Sequence, residues 1–207
     1  MMLRQTPTEW LRQRTRSLLD PIAAFLARLG VTPNMVTVMG LFVNIFAAVL
    51  LTQGQFSAAG WFLLIFGPLD AVDGALARLS GQKSRFGAFL DSTLDRYSEI
   101  VLYFGLLVYF FYHPEPTAPL LVFAAVVGSL LVSYVKARAE ALGYECNVGL
   151  LTRMERFVVL SVGLILGLII PTLWVIAILA NLTALYRMHY VWRKTLERGE
   201  QGSGIKK

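Results

Sequence analysis

The sequence predicts an all-α integral membrane protein with six transmembrane helices, both termini in the cytoplasm and an N-terminal amphipathic surface helix. Hydrophobic residues make up 56% of the 207 residues, charged residues make up 15%, and the mean hydropathy is +0.60. Soluble domains usually contain about 25% charged residues. The apolar residues also form long runs, and a helix needs roughly 20 of them to cross a bilayer core of about 30 Å.

Six apolar runs are long enough to be transmembrane helices. We expect the second run to be kinked at Gly67-Pro68, because proline removes a backbone hydrogen bond inside a helix. The third and fourth runs exceed the required length, so both are expected to project beyond the bilayer. The six runs cover about residues 34–54, 57–79, 85–112, 116–141, 150–170 and 172–193.

The distribution of lysine and arginine predicts the topology. Basic residues precede the first run, flank the second and fourth connections, and follow the last run. The first connection, the third and the fifth, around Pro171, contain none. Short loops with positive charges stay cytoplasmic, so we expect a multi-pass protein of the cell membrane with both termini inside.

This layout divides the chain into three segments. Residues 1–30 mix apolar side chains with arginines, which predicts an amphipathic juxtamembrane helix broken near Pro21; a solvated basic lead-in is the alternative. Residues 31–194 form the transmembrane domain, and residues 195–207 a cytoplasmic tail that is predicted to be disordered. The single cysteine, Cys146, excludes an intramolecular disulfide and a cysteine-based zinc cluster.

The net charge of +6 raises the question of a nucleic-acid partner. The basic residues border apolar runs and do not form a basic groove with aromatic platforms, so we expect no nucleic acid. An anionic lipid surface, or an anionic substrate at that surface, is the better partner.

Four aspartates lie between residues 70 and 95 of this apolar chain. Asp70 and Asp73 are three residues apart, and Asp91 and Asp95 are four apart, so each pair shares one face of a helix. The intervening sequence LSGQKSRF contains Gly81 and polar residues, which favour a cytoplasmic turn. We therefore expect a helical hairpin whose two acidic stripes face each other near the cytoplasmic boundary.

These carboxylates predict a metal centre. Carboxylates close together repel one another, and charges in a membrane are costly and usually functional. The stripes contain no His or Cys, so magnesium, manganese or calcium fits better than zinc. Four carboxylates can hold two cations about 4 Å apart, an arrangement used in phosphoryl chemistry.

Small residues and one arginine lie on the same helical faces as the aspartates. Gly74, Ala77 and Gly87 allow either close packing of transmembrane helices or the approach of a bulky anionic ligand, and both interpretations stay open. Arg78 presents a planar fork that suits phosphate oxygens.

The complete pattern D-x2-DG-x2-AR-x8-G-x3-D-x3-D, from Asp70 to Asp95, resembles without departure the signature of the CDP-alcohol phosphotransferases. The six-span topology is similar too, so the resemblance covers about residues 30–193. It implies an enzyme of phospholipid synthesis in which an acceptor hydroxyl attacks the lipid-side phosphorus of a CDP-linked lipid such as CDP-diacylglycerol. CMP is released, and a homodimer is implied.

The resemblance also implies roles for the motif residues. Asp70, Asp73, Asp91 and Asp95 are expected to bind a pair of Mg²⁺ or Mn²⁺ ions, with Asp91 and Asp95 in the catalytic group. Asp95 is expected to be the general base, a contribution typically worth about 10²–10⁴ in rate. No Ser or Cys paired with His is apparent, so direct displacement is preferred to a covalent intermediate.

The nucleotide is expected, by the same resemblance, to contact Gly74, Ala77 and Arg78, with Gly87 leaving room for the cytidine. Asn34 is a further nucleotide candidate, because the family often has the triplet Thr-Pro-Asn near this ligand. The alternative explanation of this triplet is structural: Thr32 caps a helix that begins at Pro33.

The acceptor has to be predicted from basic residues outside the motif, which are Lys136, Arg138, Arg153, Arg156 and Arg187. They suit a small hydrophilic acceptor that carries a phosphate, although topology and snorkelling also explain basic residues at an interface. The runs SYVKARAEALG, ERF and YRMHYVW resemble the phosphatidylinositol-phosphate synthase branch, which implies inositol phosphate. Glycerol 3-phosphate is the alternative acceptor.

A divalent-cation transporter is the alternative from a different class. Transport sites tend to lie near the bilayer midplane at the interface of repeats. The aspartates here lie at the predicted cytoplasmic ends of adjacent helices, and the chain has no internal repeat. We therefore expect an enzyme.

Overall fold

The computed structural model describes residues 19–81 and 84–203, and all regular structure in this part of the chain is helical. The predicted all-α fold class is therefore confirmed for the described residues. Residues 1–18, most of the predicted surface helix, lie outside them, and Pro21 lies within the first helix. The helices are α1 (19–28), α2 (Pro33–Thr52), α3 (Phe56–Phe66), α4 (Leu69–Leu79), α5 (Arg85–Tyr112), α6 (Ala118–Ala141), α7 (Arg153–Ile165) and α8 (Ile169–Ser203).

Three of these helices are long and apolar enough to cross a membrane: α2, α6 and the Ile169–Glu197 part of α8. The second predicted run is divided into α3 and α4 at Gly67-Pro68, where a kink was expected. The third run is the single helix α5 of 28 residues, which contains acidic residues in its first half.

The boundary between the last two predicted runs lies at a different position in the structure. Helix α7 has 13 residues, and the turn after it lies at 166–168 and not around Pro171. Pro171 instead lies in the first turn of α8, where backbone N–H groups have no acceptor within the helix. Proline therefore costs no helical hydrogen bond at this position. Helix α8 also continues to Ser203, so the first part of the segment 195–207, predicted to be disordered, is helical. An i,i+3 ion pair between Lys194 and Glu197, with 2.9 Å between Nζ and Oε2, supports this extension.

The described chain divides into two compact units. Unit 1 contains the described residues up to Ala47 together with Phe62–Leu102, and unit 2 contains Ala48–Trp61 and the residues from Tyr103 onward. The four motif aspartates belong to unit 1, and the five predicted acceptor-binding cations belong to unit 2.

The core of unit 1 joins α1, α2 and α4. Val72, Ala75 and Leu76 of α4 pack with Ala23 and Val36, and each of them is at most 2% exposed. This close packing fixes the rotation of α4. Helix α2 begins as predicted, because Thr32 Oγ1 accepts a hydrogen bond of 3.4 Å from the Met35 N–H.

Unit 2 is built around the packing of α6 and α7 on α8. A Cβ at Gly128 would lie 3.0 Å from Ala180 Cβ, so glycine is needed for the close approach of α6 and α8. Asn181, a polar residue within an apolar run, donates from Nδ2 to Ala124 O at 2.9 Å and to Ala177 O at 2.8 Å. This amide therefore links the two helices.

Candidate active site

A cavity of about 330 Å³ opens in unit 1 among α2, α4 and α5. It is lined by residues of both acidic stripes, so the two stripes border a common cavity as the spacing predicted. Among its lining residues are seven that the sequence singled out: Asn34, Asp73, Gly74, Ala77, Arg78, Gly87 and Asp91. The others are Pro33, Thr37, Ser84 and Ala88.

Thr37 contacts a motif aspartate and was not predicted from the sequence. Its Oγ1 donates to Asp73 Oδ2 at 2.8 Å and also lies 3.1 Å from Pro33 O. Both side chains are buried, with Thr37 at 7% and Asp73 at 8% exposure. The position of Thr37 one helical turn after Pro33 and Asn34 was the available signal, because it puts all three on one face of α2.

The start of α5 is fixed by Ser84, another residue that sequence analysis missed. Ser84 Oγ accepts a hydrogen bond of 2.9 Å from the Gly87 N–H, which is the geometry of an N-cap. A Cβ at Gly87 would lie 3.0 Å from Ser84 Oγ and 3.1 Å from Asn34 Oδ1. Glycine therefore allows Asn34 and the first turn of α5 to approach each other closely.

Gly74 differs from Gly87 in its surroundings. The nearest atom to a Cβ at Gly74 would be Arg78 Nη1 at 3.6 Å, which is ordinary van der Waals contact. Helix packing therefore does not require glycine at position 74, and space for a ligand remains its explanation.

The other two aspartates of the motif, Asp70 and Asp95, also belong to α4 and α5. The side chain of Asp70 lies outside the described part, although its backbone belongs to α4. Asp95 lies one turn beyond Asp91 on α5, with its Oδ2 3.8 Å from Arg96 Nη1. Among the described residues, no three His, Cys, Asp or Glu side chains form a group that could hold a metal. The four-aspartate centre thus stays a prediction.

The donor set around the cavity suits a hard cation. Its described side-chain acceptors are oxygens: the carboxylates of Asp73 and Asp91, the hydroxyls of Thr37 and Ser84, and the amide oxygen of Asn34. Carboxylate and carbonyl oxygens are the ligands that Mg²⁺ and Mn²⁺ prefer. The residues present therefore fit a divalent cation of this class.

The predicted acceptor cations of unit 2 fall into two groups. Arg138 is exposed, and Lys136 and Arg153 are partly exposed; Lys136 Nζ lies 3.7 Å from Glu140 Oε1. Arg156 and Arg187 are buried, at 1% and 4% exposure.

Arg156 contacts the segment that leads into α7. Its Nη1 donates to Leu151 O at 3.2 Å. The next residue, Thr152, is the N-cap of α7 and forms a capping box with Glu155. A capping box satisfies two otherwise unpaired N–H groups at the start of a helix. The position at which α7 begins, with Arg153 as its first residue, is therefore well defined.

The family model described as CDP-alcohol phosphatidyltransferase matches residues 30–189. The chain belongs to the CDP-alcohol phosphatidyltransferase family. The predicted family and enzyme class are thereby confirmed: the protein is a transferase of phospholipid synthesis. Family membership and the three long apolar helices together indicate an integral membrane protein.

The chain is similar to the archaetidylinositol phosphate synthase of Pyrococcus horikoshii, with 34% identity over 190 residues, 91% of this chain and 98% of the relative. It is also similar to Mycobacterium tuberculosis phosphatidylinositol phosphate synthase with CDP-DAG bound. That structure has 32% identity, a TM-score of 0.79, and coverage of 85% of this chain and 94% of the other. The same enzyme in complex with manganese and citrate has 33% identity, a TM-score of 0.78, and coverage of 84% and 88%.

Proposed function

We propose that the protein transfers the phosphatidyl group of CDP-diacylglycerol to inositol phosphate and releases CMP. The unit 1 cavity carries this proposal, because it gathers both acidic stripes, the small residues and Arg78 at one site. The similar M. tuberculosis enzyme, a phosphatidylinositol phosphate synthase, has a structure with CDP-DAG bound, which supports the choice of both substrates.

Asp70, Asp73, Asp91 and Asp95 would hold two divalent cations, Mg²⁺ or Mn²⁺. The oxygen donors around the cavity and the manganese in the complex of the M. tuberculosis enzyme support this assignment. When bound, the cations would offset the charge of the pyrophosphate and of the leaving CMP.

The nucleotide half of the CDP-lipid would bind among α2, α4 and α5. The Arg78 guanidinium can hydrogen-bond the phosphate oxygens. The small residues Gly74 and Ala77 leave room for a ligand to approach the backbone of α4. Asn34 and Gly87 lie close together in the lining of the cavity, where the Asn34 amide can hydrogen-bond the cytosine or ribose.

The reaction is a direct displacement at the lipid-side phosphorus. The acceptor oxygen forms a bond to this phosphorus, while the bond from phosphorus to the bridging pyrophosphate oxygen breaks and CMP leaves. The Asp95 carboxylate accepts the proton of the acceptor hydroxyl, and Asp91 belongs to the same acidic stripe one turn away. Positioning of the reactants and stabilisation of charge account for most of the rate enhancement in such phosphoryl transfers.

The acceptor phosphate would be bound by Lys136 and Arg153, and Arg138 would attract it through water. These cations have accessible side-chain surface, and the Arg153 guanidinium can bind phosphate oxygens through two parallel hydrogen bonds. Arg156 and Arg187, also predicted as acceptor ligands, are buried against backbone carbonyls.

The protein would cross the cell membrane six times, with both termini and the site on the cytoplasmic side, and would act as a homodimer. The alternation of basic and uncharged connections supports this topology. The CDP-lipid would then enter sideways from the inner leaflet, and the acceptor and CMP would exchange with the cytosol.

The test is CMP release by the purified protein with CDP-diacylglycerol, in Mg²⁺ or Mn²⁺, with inositol phosphate, glycerol 3-phosphate or serine as acceptor. We expect CMP release that depends on inositol phosphate and is abolished by EDTA. Preference for glycerol 3-phosphate would reassign the acceptor. No acceptor-dependent CMP with any of the three would overturn the proposal, and metal-ion flux in proteoliposomes would then support the transporter alternative.

A further inference from the structure

Helix α1 packs against α4, the helix that carries Asp73. Ala23 of α1 is completely buried in one core cluster with Val72, Ala75 and Leu76 of α4. Val72 and Leu76 each directly precede a residue that lines the cavity. The packing of α1 therefore acts on the helix that positions one side of the candidate site.

Helix α4 depends on such packing because it is short. It has 11 residues and is separated from α3 at Gly67-Pro68, so α3 does not continue into it. Isolated helices shorter than about 12–15 residues are marginal in water, and most of their stability in proteins comes from tertiary contacts. Contacts with α1 are among those that keep α4 in place.

The end of α1 fixes the direction of this helix. Gly30 has a φ of +74°, and its N–H donates to Ala27 O at 3.1 Å, while the Val31 N–H donates to Leu26 O at 3.1 Å. This is the Schellman motif of helix ends. Val31 and Leu26 also pack on the core cluster shared with α4. The orientation of α1 at the start of α2 is therefore well defined.

A second side of α1, which we call its outer face, is apolar and exposed. It is formed by Ile22, Phe25 and Leu29, which are 48%, 62% and 62% exposed. Their spacing of i, i+3 and i+7 puts them on one stripe. Ala24 and Arg28, which are also exposed, lie on the other side of the helix. The helix thus has a protein side, an apolar side and a polar side.

A lipid leaflet fits the outer face of α1. The protein is an integral membrane protein, and α2, which is long and apolar enough to cross a membrane, begins at Pro33, directly after the turn that ends α1. Residues 1–30 contain five arginines and two acidic residues, and such a charge excess attracts anionic phospholipid. Helices with one apolar side and basic residues lie in the membrane interface with the apolar side inserted.

We propose that the outer face of α1 inserts into a leaflet that contains anionic phospholipid, and that this insertion holds α1 against α4. Metal binding by the acidic stripe of α4 then depends on contact between α1 and the bilayer. The dependence of metal binding rests on the proposed function, whereas the insertion of α1 does not.

Fluorescence quenching tests the insertion with the full-length protein in vesicles of phosphatidylcholine and phosphatidylglycerol. Phe25→Cys and Ala24→Cys receive the same thiol-reactive fluorophore, and Cys146 is completely buried in both variants. We expect phospholipids with a nitroxide on the acyl chain to quench the label at position 25, and aqueous iodide to quench the label at position 24. Quenching of position 25 by iodide would overturn the insertion. Protection from both quenchers would overturn it too, and would indicate that residues 1–18 or a second copy of the chain cover the face.

The Mn²⁺ affinity of Phe25→Ser, measured by electron paramagnetic resonance in the same vesicles, tests the coupling to α4. Loss of a phenyl group from apolar surroundings weakens insertion about tenfold or more, and metal affinity can fall by no larger factor. We expect it to fall about three- to tenfold. Phe111→Ser is the matched control, because Phe111 is an exposed phenyl group of α5 in unit 2, and should leave the affinity unchanged.

The possible outcomes separate the coupling from the proposed function. Unchanged Mn²⁺ affinity in Phe25→Ser would overturn the coupling, and so would an equal loss in Phe111→Ser. If the parent protein binds no Mn²⁺, the metal site of the proposed function fails and the coupling fails with it. Quenching of the label at position 25 by lipid would still establish the insertion of α1 in that case.

Discussion

The two units of the protein hold their functional residues by different means. In unit 1, Asp73 and Asp91 line a cavity from two consecutive helices, and their positions follow from helical spacing along one short stretch of sequence. In unit 2, Arg187 bonds carbonyls 39 and 55 residues away along the chain. Side chains in unit 1 surround a space, whereas the described hydrogen bonds of the buried arginines of unit 2 go to backbone carbonyls.

This difference indicates how each unit should respond to substitution. A cavity lined by side chains loses its chemistry when one reacting group is changed, while the surrounding helices remain packed. A segment held by buried hydrogen bonds shifts when one bond is removed, and residues that it carries move with it. Unit 1 substitutions should therefore change kcat, and unit 2 substitutions should change the KM of one substrate.

Asp95→Asn is the strongest test of this division. The amide keeps the size of the carboxylate but cannot accept the acceptor proton, so we expect kcat to fall by about 10²–10⁴ while the CDP-lipid still binds. CMP release and binding of CDP-diacylglycerol are measured in parallel. Glu115→Gln, a carboxylate outside the motif, is the control and should leave both unchanged. Equal losses of binding and turnover would make Asp95 a metal ligand without a role as base.

Seven residues that line the unit 1 cavity could be singled out from the sequence, because the geometry of this cavity is local. The i,i+4 spacing puts Asp73 and Ala77 on one helix face and Gly87 and Asp91 on another, and a short turn brings these faces together. Thr37 escaped notice because a threonine in an apolar helix has several ordinary explanations, and its partner lies on another helix.

The sequence singled out the cations of unit 2 but gave no sign of their contacts with the backbone. Arg187 interrupts an apolar run, which correctly marks it as unusual. Its described hydrogen-bond partners are the carbonyls of Val132 and Val148, and any residue type supplies a carbonyl. No pattern of side chains therefore predicts this contact. The boundary near Pro171 was wrong for a related reason, because proline is accepted in a first helical turn as readily as in a loop.

Thr37→Val tests whether unit 1 also depends on a positioning hydrogen bond. The change removes the donor to Asp73 Oδ2 and keeps the side-chain shape. Substitution of groups that orient metal ligands typically lowers metal affinity about 10- to 100-fold. We expect the Mn²⁺ affinity, measured by electron paramagnetic resonance on the purified protein, to fall by about tenfold.

Thr37→Ser retains the hydroxyl and should keep most of the Mn²⁺ affinity. Thr52→Val is the matched control, since Thr52 belongs to the same helix but donates to Val49 O at 2.7 Å. If Thr37→Val leaves Mn²⁺ affinity unchanged, the hydrogen bond stabilises the fold without serving the site.

Among these substitutions, Arg138→Ala should have the smallest effect on catalysis, because this cation is exposed. An exposed charge attracts a phosphorylated acceptor through water, and salt shortens the range of that attraction from about 10 Å at 0.1 M to about 3 Å at 1 M. We expect the KM for inositol phosphate to rise only about two- to threefold at low salt, and the difference from the parent to vanish at high salt.

The control is Arg28→Ala, which changes an exposed cation of unit 1 and should leave this KM unchanged at either salt concentration. A rise that persists at high salt would mean that Arg138 makes a direct, desolvated contact with the acceptor. In that case unit 2 would bind its substrate as unit 1 does, through side chains that surround it, and the contrast between the units would be limited to Arg156 and Arg187.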